Sequence, residues 1–337
     1  MAHVVERLGR HWSDGARAEQ RRLRRRDLRY LLAPSRLARL LGGELPQGAI
    51  FLHAYHSPFP AMFRWLKARP DLKPVFFVHD LLALQMPEYF TPEHVAYERR
   101  WHEVLVDHGA AAIVNSAAVK ADLESFLEDR NAKAIPILAA PIPVDPVFCA
   151  DDLADPALRE DNYFVVCGTI EPRKNHLLLL QVWRELVRRC DDAAPKLLVL
   201  GRRGWKNQNV VELLERSNPL RGRVVEKSGL SSHALARLMA NSRAVLMPSF
   251  GEGYGLPIAE ALAAGAPVIA SDIPVFRESE GLGAVTFVSP LDGMGWLAAV
   301  MAHAEGDRMR PPPRHRVAPE SYFARLDAFL AEVAAGA

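Results

Sequence analysis

Neither a long apolar run nor a pattern of paired cysteines occurs in the 337 residues of this chain. A membrane-spanning helix needs roughly eighteen or more consecutive apolar residues; nothing here approaches that, and the first residues carry no apolar leader. The three cysteines, Cys149, Cys167 and Cys190, are odd in number, widely spaced and never in Cys-x-x-Cys. That excludes a disulfide framework and a thiolate metal site, and it points to a reducing, cytoplasmic setting. The glycines never take the Gly-x-Gly-x-x-Gly spacing; Gly251, Gly253 and Gly255 alternate instead, which excludes the dinucleotide fingerprint. A large excess of either charge is also missing, with 42 Lys and Arg against 40 Asp and Glu, a net charge of +2. The balance conceals an uneven distribution. Residues 1–40 hold 11 Arg against 4 acids (+7), which leaves −5 for the remainder, +2 minus +7.

What is present is the composition of a soluble globular protein, 49% hydrophobic and 24% charged. The length exceeds that at which one core usually keeps growing, so two domains are expected. Short β-like apolar runs fall at 49–54, 74–79, 110–115, 134–138, 163–167, 196–200, 223–226, 243–247, 267–270 and 284–288. Longer amphipathic stretches lie at 92–108, 117–127, 176–189, 231–240 and 291–304. Such alternation predicts an α/β fold, with two doubly wound Rossmann-like domains of parallel sheet facing across a cleft. Residues 46–145 form the first domain and 162–310 the second. The stretch 139–161, with four prolines and six acids, lacks periodicity; the linker is placed at 146–161. Residues 1–45 read as a basic helical segment and 317–335 as a closing helix.

In sheets of this kind ligands collect beyond the strand carboxyl ends, and five polar loops follow predicted strands there. They are His79-Asp80, Asn115-Ser116, Gly168-Thr169 with Arg173-Lys174, Gly201 to Gly204 with Arg202 and Arg203, and Ser249 to Glu252. The last runs into Pro248-Ser-Phe-Gly-Glu-Gly-Tyr-Gly-Leu-Pro-Ile-Ala-Glu260, which sets two carboxylates eight residues apart around a glycine-rich turn. Pro257 suits a first helical position, so a helix opens there. Its orphan N–H groups and positive dipole end can receive an anion. Glu252 in the turn and Glu260 inside the helix can accept hydrogen bonds from hydroxyls attached to that anion, as in a ribose or a hexose. Two cations, Arg173 and Lys174, opening another helix oppose its dipole and call for an anion beside them. The pattern is that of a nucleotide-sugar pocket. A buried structural role for His79, a helix cap by Asn115-Ser116, and a surface role for Arg202 and Arg203 are the alternatives.

On these residues the chain resembles the family-four retaining glycosyltransferases of GT-B architecture. The resemblance is carried by Gly168-Thr-Ile-Glu-Pro-Arg-Lys-Asn175, Ser249-Phe-Gly-Glu-Gly-Tyr-Gly-Leu-Pro-Ile-Ala-Glu260 and Ala263-Ala-Gly-Ala-Pro-Val-Ile-Ala-Ser271. In the first half His79-Asp-Leu-Leu-Ala-Leu-Gln-Met-Pro-Glu-Tyr-Phe90 and Asn115-Ser116 are similar to a bacterial branch that builds surface polysaccharides and includes GDP-mannose-dependent mannosyltransferases. The resemblance covers roughly residues 50–334 and implies these roles. Glu260 binds the donor ribose; Glu252 contacts the donor sugar, with Gly253, Tyr254, Gly255 and Leu256 supplying backbone N–H groups. Arg173 and Lys174 hold the diphosphate; Gly168, Thr169, Arg202 and Ser249 are further substrate-binding residues. His79 faces the reacting carbon from the opposing, acceptor-side domain. Transfer then retains configuration, with the leaving diphosphate taking the acceptor proton. The chain has no Asp-x-Asp triplet, so neither a metal nor any cofactor is expected beyond the donor, a GDP-sugar or a UDP-sugar.

Residues 1–45 fit the resemblance least, because the family opens on a strand and a glycine-rich loop and this chain opens on Arg-rich sequence. An incomplete first domain is therefore one expectation, and a catalytically weak nucleotide-sugar-binding partner subunit is the rival function. An epimerase or phosphorylase on the same architecture is a third reading. The expected acceptor is a lipid-linked glycan or a polysaccharide. The basic stretch 17–39 makes an anionic membrane surface a candidate partner on the inner face of the plasma membrane, with a solvated helix as the alternative. No aromatic platform supports nucleic acid.

Overall fold

The computed structural model describes residues 46–54, 63, 66–308 and 317–336. The basic stretch 17–39 and the whole 1–45 segment lie outside the described residues, as does the Pro/Arg-rich 309–316. Ten strands make two parallel sheets. The first contains β1 (Ile50–His53), β2 (Lys73–Val78), β3 (Ala111–Val114) and β4 (Ile137–Ala139), lying side by side in chain order. The second contains β5 (Tyr163–Cys167), β6 (Lys196–Leu200), β7 (Val224–Lys227), β8 (Val245–Met247), β9 (Val268–Ser271) and β10 (Val285–Val288). Its order is β10-β9-β8-β5-β6-β7. The chain winds outward from β5 in one direction and then returns to β8 and winds the other way. That reversal is the mark of a doubly wound sheet, and it opens a crevice where β5 and β8 lie side by side.

Parallel sheets need cover on both faces, which is why their strands read as apolar runs. Side chains alternate along β5: Tyr163, Val165 and Cys167 enter one core, while Phe164 and Val166 enter the core on the opposite face. In the first sheet Phe76 and Val78 of β2 pack beneath Trp101, Leu105 and Leu123, which come from helices Pro92–His108 and Ala117–Glu128. The other face, with Val75, Phe77 and Ile113, is covered by Tyr322, Phe329 and Val333 of the final helix, Pro319–Ala335. The closing helix therefore belongs to the first sheet, although the chain reaches it only after completing the second. Lys73 Nζ fastens it by donating to the carbonyl oxygens of Val333 and Ala334 at 2.9 and 2.8 Å, satisfying acceptors that every helix leaves unpaired at its C-terminus.

The expected strands recur in the structure within a few residues at each end, and the longer helices likewise. Two differences matter. Helix Gln208–Arg216 was not expected, because its apolar positions are few and flanked by Gly, Asn and Arg. The stretch read as linker is ordered, with short turns at Pro146–Cys149 and Asp151–Leu153 and a helix at Pro156–Glu160. Phe148 and Leu153 from it are buried in the second core, so its prolines set turns rather than slack chain. Among the described residues no helix is long and apolar enough to cross a membrane.

Candidate active site

Two loops meet at the crevice between β5 and β8. After β5 the chain passes Gly168 and Thr169 and makes a tight turn, Pro172–Lys174, before helix His176–Cys190. After β8 it makes the glycine-rich turn, and helix Leu256–Ala263 follows. Pro257 lies one position inside that helix, which starts at Leu256 rather than at the proline. The two loops are tied by the backbone, with Phe250 N–H donating to the carbonyl of Arg173 at 2.9 Å.

Arg173 and Lys174 converge on Glu252. Lys174 Nζ lies 2.5 Å from Glu252 Oε1, and Arg173 Nη1 lies 2.9 Å from Glu252 Oε2. Ser249, buried at the end of β8, donates its hydroxyl to Glu252 Oε1 at 2.7 Å. Arg173 also donates to the Gly251 carbonyl at 2.5 Å and to Glu171 Oε1 at 2.6 Å. Burial opposes the charge of Glu252 most strongly, but Lys174 and Arg173 together with the Lys174 and Ser249 hydrogen bonds outweigh it and hold the carboxyl below its ordinary range. Burial pushes Glu171 the other way, upward, against the pull of Arg173 and Lys174. The result is two cations held in place by protein carboxylates and a backbone carbonyl.

Glu260 behaves differently. One turn inside helix Leu256–Ala263, its side chain has no hydrogen-bond or ion-pair partner among the described residues. Burial first, and then the Asp145 charge, raise its carboxyl to about 7. Cys167, at the end of β5, has its thiol pushed up to about 12 by burial and by the nearby Glu260 charge. Glu252 is thus a carboxylate fully engaged by protein donors, and Glu260 one that the protein leaves open.

The helix mouth is shaped by two glycines. Gly255, the residue before the helix, has φ +80°, a conformation that side chains strain to adopt, and a Cβ there would meet Phe276 at 2.6 Å. Gly253 admits the first sheet: a Cβ on it would lie 2.3 Å from the carbonyl oxygen of His79. Tyr254 turns its ring into the core and donates its hydroxyl to the Ile142 carbonyl at 3.1 Å. No backbone bond is donated by the N–H groups of Gly253, Gly255 or Leu256 among the described residues, as expected for a helix start.

His79 stands opposite, half-buried at the end of β2, with its ring 4.8 Å from that of Phe77. The charge of Asp80 reaches Arg173 across the cleft. Thr169 and Arg202 are exposed, and among the described residues no hydrogen bond or ion pair joins their side chains to the Arg173–Glu252 cluster. Arg203 goes to the surface, pairing with Glu215 at 2.5 Å and Glu226 at 2.7 Å. Asn115-Ser116 does form the expected cap, Ser116 Oγ accepting from Val119 N at 3.1 Å. Sequence reasoning missed Glu171 and Asp145. The first was legible as an acid two residues from Arg173; nothing local marked the second. It also missed a contact on one flank of the cleft, where Tyr89 stacks on Phe250 at 5.4 Å and Lys206 Nζ donates to the Phe90 carbonyl at 2.6 Å.

Residues 152–293 match the family model described as glycosyl transferases group 1. The chain is 32% identical over 216 residues to the serotype-specific mannosyltransferase WbdA of Escherichia coli, covering 60% of this chain and 26% of that protein. It is 31% identical over 207 residues to the O-antigen chain mannosyltransferase B of Escherichia coli, 60% of this chain and 54% of that one. The chain thus spans between about a quarter and about half the length of these relatives. Among solved structures, an α,α-trehalose-phosphate synthase from Burkholderia vietnamiensis superposes with a TM-score of 0.62 at 17% identity, over 90% of this chain and 74% of that one; it shares the two-sheet GT-B fold.

Proposed function

From the premise that residues 152–293 are a group 1 glycosyltransferase domain, we propose that the protein transfers a hexose from a nucleotide sugar to a lipid-linked glycan or polysaccharide, with retention of configuration and without a metal or other cofactor. Mannose is the proposed sugar, since the named relatives are mannosyltransferases; GDP-mannose is the proposed donor on the sequence resemblance, and a UDP-sugar is the alternative. The observation that carries the reading is the Arg173–Lys174–Glu252 cluster at the mouth of helix Leu256–Ala263, facing His79. A departing nucleoside diphosphate gains negative charge. Cations and N–H dipoles already in place stabilise that charge most in the transition state. Glu252 and Glu171 hold the guanidinium and ammonium so that no reorganisation is needed as the bond breaks. The leaving diphosphate takes the acceptor proton, so no carboxylate base is required. Work at the inner membrane face belongs to the same proposal.

The test is to incubate the protein with GDP-, UDP- and ADP-sugars, with and without a lipid-linked acceptor, and follow nucleoside diphosphate release. Acceptor-dependent release from GDP-mannose is expected; a folded protein that releases nothing from any donor removes the reading. A thermal-shift panel of the same donors should single out the true one, because only a ligand of the native state raises stability.

Glu260 makes donor binding proton-linked. Its carboxyl titrates near 7 in the fold, above the ordinary value, so it contributes stability below the unfolded pKa and loses that contribution as pH rises through 7. Ribose hydroxyls donating to the carboxylate favour its charged form and pull the pKa down. Near pH 6.5 donor binding should therefore release a proton, read by calorimetry in two buffers of different ionisation enthalpy. Glu260→Gln should abolish the release and weaken binding about tenfold or more, the worth of hydrogen bonds to a charged acceptor. Equal heats in both buffers for the unaltered protein would exclude this role.

A further inference from the structure

We propose that Ser116 is a positioning residue, which ties the first lobe to the glycine-rich turn and sets the shape of the donor site when the lobes close. The proposal rests on the hexosyl-transfer reading above for its catalytic consequence, but its structural content stands separately.

Ser116 lies at the carboxyl end of β3 and is fully buried. A serine hydroxyl has one proton and two lone pairs, and both capacities are used. It accepts the Val119 N–H, capping helix Ala117–Glu128. It donates its proton to the carbonyl oxygen of Gly253 at 2.7 Å, across 137 residues of sequence. An N-cap needs only the first of these bonds; the second has no role in the helix. Its acceptor is the residue whose lack of a side chain lets the His79 carbonyl approach. The peptide group is planar, so directing the Gly253 carbonyl at Ser116 also directs the N–H of the same unit, that of Tyr254, to the other side. Other contacts restrain the turn from within the second lobe and the linker: Arg173 holds the Gly251 carbonyl, and the Tyr254 hydroxyl reaches Ile142. From the first lobe the turn is reached by the Ser116 hydrogen bond, beside the stacking of Tyr89 on Phe250. Closing the cleft and orienting the donor amides are thereby one event.

The two functions of the hydroxyl can be separated. Ser116→Asp keeps an acceptor for Val119 N–H but carries no proton for Gly253. Ser116→Ala loses both bonds. Hydrogen exchange measured by peptide should show faster exchange over residues 250–256 in both variants, and faster exchange over residues 117–120 only in the alanine variant. A residue that merely caps its helix would not change exchange in the other lobe. With the true donor, kcat should fall roughly tenfold, the effect expected from one lost buried hydrogen bond, while the donor KM changes by less than threefold. Unchanged exchange over 250–256 in both variants overturns the proposal, whatever the enzyme does. If the unaltered protein transfers no sugar, the transferase reading falls, and the exchange result still decides the role of Ser116.

Discussion

Glu252→Gln should cost the protein both stability and turnover, and added nucleoside diphosphate should return part of the stability. Glu252 neutralises two cations that lie almost out of solvent, with side-chain exposures of 13% for Arg173, 14% for Lys174 and 10% for Glu252 itself. An amide of the same shape still accepts hydrogen bonds but leaves one positive charge uncompensated, since Glu171 reaches only Arg173. Removing one partner of a buried ion pair typically costs about 3–5 kcal/mol, and each kcal/mol shifts the melting point by roughly 2–4 °C in a chain of this order of size. A fall on the order of 10 °C is expected. A diphosphate supplies the missing negative charge, so it should raise the melting point of the variant more than that of the unaltered protein. Turnover should drop about a hundredfold to a thousandfold, the range seen when a preorganised stabiliser of developing charge is lost. The sign of the diphosphate effect is the discriminating measurement. If the variant melts like the parent, or gains less from the diphosphate, the cluster is not built around this carboxylate.

Gly253→Ala should inactivate by a different route, leaving the two cores intact. The added methyl would lie 2.3 Å from the His79 carbonyl oxygen and 3.1 Å from Asp80 Cβ. The first contact is with backbone, which cannot rotate away as a side chain can. The lobes must separate by on the order of 1 Å, a misplacement that can cost about a hundredfold in rate. Neither the alternating cores of the second sheet nor the cover of the first involves this residue. The melting point should therefore change little while kcat falls about a hundredfold and nucleotide still binds. Wild-type turnover in this variant would show that the close approach of His79 to the turn is dispensable.

Much of the fold was legible because its determinants are local. Tyr163–Cys167 and Lys196–Leu200 are apolar runs of strand length bounded by polar turns, and their limits in the structure coincide with those expected. The amphipathic stretch expected at 92–108 is the helix Pro92–His108, and the structure adds Thr91 as its cap. The helix after the donor turn was legible from its glycines and proline, to within one residue. Helix Gln208–Arg216 was not, since nine residues with four apolar positions give too short a period to read.

By itself, then, the sequence determined the alternation of strands and helices, the parallel character of both sheets, and the short list of polar loops at strand ends from which a site could be made. Tertiary structure decided which of those loops meet. It brought Lys174 to Glu252 across 78 residues and Ser116 to Gly253 across 137, sent Arg203 to the surface, and placed Asp145 where its charge lifts Glu260. The reason is physical. Periodicity and capping are written in neighbouring residues, whereas burial, ion pairing and a carboxyl's proton affinity belong to the surroundings that distant segments create once packed.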